Sequence, residues 1–126
     1  MDGVYGAAAA RVLGLALLLG LYTFRSITRP LQILAEEALA QQIHVVLGPT
    51  INLHRSPLGG RLFEAYSEDP LLTARIGVVY VRGLQAGGVG ACVKHFVAND
   101  SETDRLTYDA QVDERTLREV YLAPFE

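Results

Sequence analysis

Apolar and polar positions divide the chain into three stretches of different character. Val12 to Phe24 carries no charge, is preceded by Ala7–Ala10 and Arg11, and is followed by Arg25 and Arg29. The run is short of the roughly eighteen apolar residues of a spanning helix, although counting back through Arg11 to Val4 reaches that length. It is expected to be an apolar packing helix, an anchor or signal segment, or the result of a mis-assigned start of the reading frame. Against a signal segment, Met1-Asp2-Gly3 lacks a basic leader and no small-x-small site follows the run.

From Pro30 the spacing changes to that of an amphipathic helix. Leu31, Leu34, Ala35, Ala38 and Leu39 recur at three and four, with Glu36 and Glu37 outside the stripe, and Pro30 fits the first helical turn. Ile43 to Leu47 is too short and too β-branched for a helix and reads as a strand that ends at Gly48-Pro49. Asp69-Pro70 then opens a second helix, with Asp69 as N-cap, and Leu72, Ile76, Val79 and Gly83 mark one face. Gly87-Gly88 stops it, and Val89 to Val93 is the next strand. Strand, helix, strand is a βαβ unit, whose right-handed crossover makes the two strands parallel. A last helix starts at Asp113, with Glu114 in its first turn, buries Leu117, Val120 and Tyr121, and stops near Pro124.

The fold class is therefore α/β, with parallel strands covered by helices. Two connections are far longer than the roughly two to six residues usual for βα loops. They run from Gly48 to Glu68 and from Lys94 to Val112, both after the C-terminal ends of adjacent strands, where parallel sheets bind ligands. They carry Asn52, His54, Arg55, Arg61, Glu64 and Glu68, then Lys94, His95, Asn99, Asp100, Glu102, Asp104 and Arg105. Loops of this composition read as two walls of a polar pocket.

Composition narrows what the pocket can hold. A net charge of −3 with no run of basic residues argues against nucleic acid. Cys92, the single cysteine, reads as a small buried strand residue, and His44 as a structural histidine. Lys94 is the only lysine beside ten arginines, and a compact ammonium at a strand end suits a hydroxyl ligand. A phosphate cradle is missing, since Gly59-Gly60-Arg61 is no Walker loop and no G-x-G-x-x-G occurs. His54, His95 and the carboxylates lack metal-ligand spacing, so no metal is expected. No G-x-S-x-G elbow supports a serine triad. Cations, amides and carboxylates in similar numbers suit a neutral polyhydroxylated ligand.

Three stretches then become recognisable together: Leu47 to Pro70 (LGPTINLHRSPLGGRLFEAYSEDP), Lys94-His95-Phe96-Val97-Ala98-Asn99 with Glu102 and Arg105, and Asp113 to Leu122 (DERTLREVYL). In this order and spacing they resemble the N-terminal barrel domain of glycoside hydrolase family 3. The resemblance covers about Leu34 to Glu126 and leaves 1–33 as a divergent apolar segment. It implies part of a (β/α)8 barrel and a retaining β-glucosidase acting on a terminal β-linked sugar of a β-glucoside or oligosaccharide, with no cofactor. Arg61, Lys94 and His95 are implied to hold the hydroxyls of that sugar, with Arg105 beside them. Val97-Ala98-Asn99 after Phe96, in place of Pro-Gly-His-Gly, points to the glucosidase branch.

The family's nucleophilic aspartate, its acid/base glutamate and an upstream sugar-binding aspartate are not recognisable in the chain. Retaining hydrolysis needs two carboxyl groups about 5 Å apart. The resemblance gives Glu64, Glu68, Glu102 and Asp104 ion-pairing roles, so no residue is assigned as catalytic and the chain reads as a fragment of an enzyme. A non-catalytic sugar-binding remnant and a membrane-associated interaction protein using Val12 to Phe24 are the alternatives. Adjacent strand residues point to opposite faces, so if Lys94 and His95 both face one sugar the backbone is expected to be irregular within Lys94 to Val97.

Overall fold

The computed structural model describes residues 2–23, 25, 26 and 29–126, with side chains described from residue 8 onward. Met1, Phe24, Ile27 and Thr28 lie outside that set, and with Phe24 the end of the uncharged run.

The N-terminal stretch forms α1 (Asp2–Thr23), a helix apolar all round rather than on one face. Its last turn is closed by the Thr23 hydroxyl, which donates to the carbonyls of Leu19 and Gly20 at 3.0 and 2.9 Å. Val12, Leu13, Leu15, Leu17, Leu18 and Leu19 are all exposed. Among the described residues no helix is long and apolar enough to cross a membrane.

The remainder is built on two short parallel strands. Helix α2 (Arg29–Ala40) begins with Pro30 in its first turn and buries Ala35 and Ala38. A turn through Gln42, whose φ is 61°, leads into β1 (Val45–Val46). Helix α3 (Pro70–Ala86) is capped as expected: the Asp69 carboxylate accepts from the backbone N–H groups of Leu71 and Leu72, and Pro70 gives up no bond. The chain then returns through β2 (Gly90–Ala91), parallel to β1, with Val45 opposite Gly90 and Val46 opposite Ala91. Ala35, Ala38, Leu84 and Val89 form the core, with Leu34, Val46, Tyr80 and Ala91 packed against it.

The structure corrects several readings of the sequence. Pairing does not end at Gly48-Pro49: past the cis peptide there, the Lys94 N–H donates to Pro49 O at 2.9 Å and the Ile51 N–H to Lys94 O at 2.7 Å. Thr50 thus lies beside Lys94 in parallel register. Of the face expected on α3, Ile76 and Gly83 are half-buried, with Gly83 close against Leu31, but Leu72 and Val79 are nearly half exposed, and the fully buried residues are Thr73, Gly77 and Leu84. Small residues set this face by letting backbones approach. A Cβ on Gly77 would stand 3.1 Å from Ile51 Cγ2, and one on Gly87 would stand 2.4 Å from the Ala35 Cβ. Cys92 is exposed rather than buried, and so are Ile43, Val45 and Leu47. Apolar residues on both strand faces belong to a sheet covered on both sides, and here nothing in the described residues covers the second.

The C-terminal segment opens at Asp113, whose carboxylate accepts from the Thr116 N–H at 3.0 Å and from its hydroxyl at 2.7 Å. Helix α4 (Glu114–Thr116) widens into a π-type stretch (Leu117–Leu122) and tightens into a 3-10 turn (Ala123–Phe125). It ends at Phe125, next to Pro124 as expected, while Leu117, Val120 and Tyr121 are partly rather than fully buried. The Phe125 ring meets Phe96 edge to face at 5.2 Å.

Candidate functional site

The two long loops meet directly above the strand ends. Alternation beyond Pro49 puts Thr50 and Asn52 on one face, both buried. A 3-10 turn at Leu62–Glu64 brings the Arg61 and Glu64 side chains back over that face. From the other wall come Lys94 and His95, joined by a cis peptide, with a second cis peptide at Phe96–Val97 and a φ of 61° at Ala98. The irregular backbone expected within Lys94 to Val97 is present.

Glu64 is the hub of the cluster. Its carboxylate accepts from the Thr50 hydroxyl at 2.7 Å, from the Lys94 ammonium at 3.2 Å and from Arg61 Nε. Three donors on one carboxylate favour its charged form. The Arg61 hydrogen bond, then those of Thr50 and Lys94, hold the Glu64 carboxyl at about 2 against burial, which pushes it up. Arg61 also reaches across to His95, its Nη1 standing 2.7 Å from His95 Nε2. Arg61, Lys94 and His95, separated in sequence by more than thirty residues between the two walls, are thus brought together around Glu64.

The fourth expected residue stands further out. Arg105 Nη1 pairs with Glu102 Oε2 at 3.0 Å, and its side chain is 56% exposed. Glu102 links it to the hub, since Glu102 Oε1 lies 3.6 Å from Arg61 Nη1 and accepts from the Asn99 amide at 3.1 Å. Burial raises the Glu102 carboxyl, but the Asn99 and Arg105 hydrogen bonds outweigh it and leave the group below its ordinary value. His54 and Arg55 do not join the cluster: His54 Nε2 contacts Leu62 O at 3.1 Å, and Arg55 Nε donates to the Tyr121 hydroxyl at 3.2 Å.

Asn52 and Thr50 are the residues whose roles the sequence reading missed. Asn52 Oδ1 accepts from the His95 backbone N–H at 2.9 Å, and its Nδ2 donates to His95 O at 3.0 Å. The signal was the two-residue spacing of Thr50 and Asn52 after Pro49, hidden because the strand appeared to stop there. The enclosed space beneath Arg61, His95 and Glu102 is only about 10 Å3, room for about one water. Among the described residues no group of His, Cys, Asp or Glu could hold a metal ion.

A parallel βαβ frame with cations, an imidazole and amides gathered at its strand ends defines an α/β segment that carries a polar side-chain cluster. Residues 13–126 match the family described as "Glycosyl hydrolase family 3 N terminal domain", and the chain belongs to that family. It is 57% identical over 93 residues to a β-glucosidase of Rhizobium radiobacter and 53% identical over 93 residues to thermostable β-glucosidase B of Acetivibrio thermocellus. Each alignment covers 74% of this chain, but only 11% and 12% of the respective relative. The solved structure of β-glucosidase 3B from Thermotoga neapolitana in complex with glucose superposes with a TM-score of 0.76 at 47% identity, over 79% of this chain and 14% of that one. The α/β fold is accordingly a portion of the barrel found in those enzymes, and the domain is β-glucosidase-like.

Proposed function

We propose that residues 34–126 form the sugar-hydroxyl-binding part of a retaining β-glucosidase barrel, and that the chain by itself binds a terminal β-linked glucosyl unit without cleaving it. The observation that carries this is the convergence of Arg61, Lys94 and His95 around Glu64 from two separate loops. Arg61 and Lys94 present N–H donors to sugar oxygens, and His95 presents a ring nitrogen. Arg105 sits at the outer rim through Glu102. Glu64 pairs with both Arg61 and Lys94 and holds them in place, and Glu102 beside Arg61 supplies the second negative charge, so that a neutral ligand meets a nearly neutral surface.

The carboxylates present are poorly suited to cleave a glycosidic bond. A general acid must hold a proton near neutral pH, whereas Glu64 is held at about 2. As a nucleophile it would have to leave three donors. Glu102 is tied to Arg105 and Asn99. The nucleophile and the acid of the reaction are therefore assigned to sequence outside this chain, in line with the small share of its relatives that it spans.

Calorimetric titration with glucose and with an aryl β-glucoside, beside a turnover assay with the same glycoside, tests the reading. Saturable binding that is lost in Lys94→Met, with no release of the aglycone, is expected. Release of aglycone abolished by Glu64→Gln would overturn the assignment of catalysis elsewhere, and absence of saturable binding would overturn the binding site.

A further inference from the structure

The Asn52 side chain makes more contacts with His95 than a structural amide needs. Besides its pair of bonds to the His95 backbone, Asn52 Oδ1 lies 2.8 Å from His95 Nδ1. The backbone pair fixes which way the amide points, because an oxygen is needed opposite the His95 N–H and a nitrogen opposite the His95 carbonyl. The atom facing Nδ1 is therefore an acceptor, and Nδ1 must carry the hydrogen. The other side of the ring gives the same answer. Arg61 Nη1, 2.7 Å from Nε2, belongs to a group with donors and no acceptor, so Nε2 must offer a lone pair.

We propose that Asn52 is a positioning residue that locks His95 as the neutral, Nδ1-protonated imidazole and so turns Nε2 toward the ligand side as a hydrogen-bond acceptor. The inference rests on the binding role proposed above for its consequence, though not for the tautomer itself. Its consequence is a rule of recognition: the sugar hydroxyl that His95 reads must donate its hydrogen, either sharing Nε2 with Arg61 or displacing it. A ligand whose oxygen there is methylated or absent loses that bond. Asn52 is 6% exposed, and the bonds of its side chain go to His95.

Long-range 1H–15N NMR correlation of the imidazole on the full chain, at a pH where His95 is neutral, reads the tautomer directly. The wild type is expected to show Nδ1–H with an unprotonated Nε2. Asn52→Asp keeps the acceptor and should keep that tautomer. Asn52→Leu should shift the ring toward Nε2–H and weaken glucose binding about tenfold, roughly the loss of one well-placed hydrogen bond. Should Asn52→Leu fail to fold, the wild type and Asn52→Asp decide the matter. Nε2–H in the wild type, or Nδ1–H retained in a folded Asn52→Leu chain, overturns the proposal. If the tautomer is as expected and the wild type binds no glucose, Asn52 keeps its positioning role and only the reading of the site as a sugar site falls.

Discussion

Replacing Arg61 by glutamine should release the Glu64 carboxyl from its low value. Arg61 supplies the largest of the stabilising hydrogen bonds to that carboxylate, and Thr50 and Lys94 remain in the variant. The Glu64 carboxyl should therefore rise by about 1 to 2 pH units from about 2, and stay below its ordinary 4.5. At 1.36 kcal/mol per unit, the full difference from 4.5 corresponds to about 3 kcal/mol of linkage. Glu64 is 21% exposed and partly screened, so about 1 to 2 kcal/mol is the realistic share. Because the folded value lies below the unfolded one, this stability is complete above about 4.5 and is lost as the pH falls toward 2. The assay is a 13C-detected titration of the Glu64 side-chain carboxyl in both proteins. Denaturant melts at pH 7 and pH 3, read as the difference between wild type and Glu64→Gln, complement it. The reasoning is refuted if Glu64 titrates at its ordinary value in the wild type, or if Arg61→Gln leaves its titration unchanged.

Other expectations are simpler to check. Gly87→Ala should destabilise the chain by about 1 to 3 kcal/mol in denaturant melts, because its Cβ would stand 2.4 Å from that of Ala35 and one of the two helices must move. Asp69→Ala should cost about 1 kcal/mol through loss of the α3 N-cap, a loss that Asp69→Ser largely restores in the same melts. Thr73→Val should raise stability by about 1 kcal/mol, since the buried Thr73 hydroxyl has no hydrogen-bond partner among the described residues.

The sequence was most informative where local chemistry decides structure. Asp69-Pro70 and Asp113 announced their helices because capping is a matter of a few neighbouring atoms. The βαβ order announced the parallel pairing, and the crowd of charged residues in two long loops announced the cluster. It was least informative where packing decides. The inner face of α3 is lined by Thr73 and Gly77 rather than by the larger Leu72 and Val79, because close approach to Ile51 rewards a missing side chain. Periodicity of large apolar residues does not register a glycine chosen for contact. The exposure of Cys92, Val45 and Leu47 was illegible for a related reason: an apolar strand reports the sheet it suits and says nothing of how much of that sheet is present. Asn52 stood in plain view among the loop residues, yet its bonds to His95 span 43 positions and depend on a ladder that resumes after Pro49.

The central claim, that Arg61, Lys94 and His95 jointly hold a sugar, is tested most directly by titrating glucose into 13C,15N-labelled chain while following the side-chain signals of those residues by NMR. The account predicts saturable shifts at the Arg61 guanidinium, the Lys94 ammonium and the His95 ring with a single common affinity, and no comparable shift at the Arg55 guanidinium. Shifts absent from all three groups, or saturating at a different affinity for each, would contradict it.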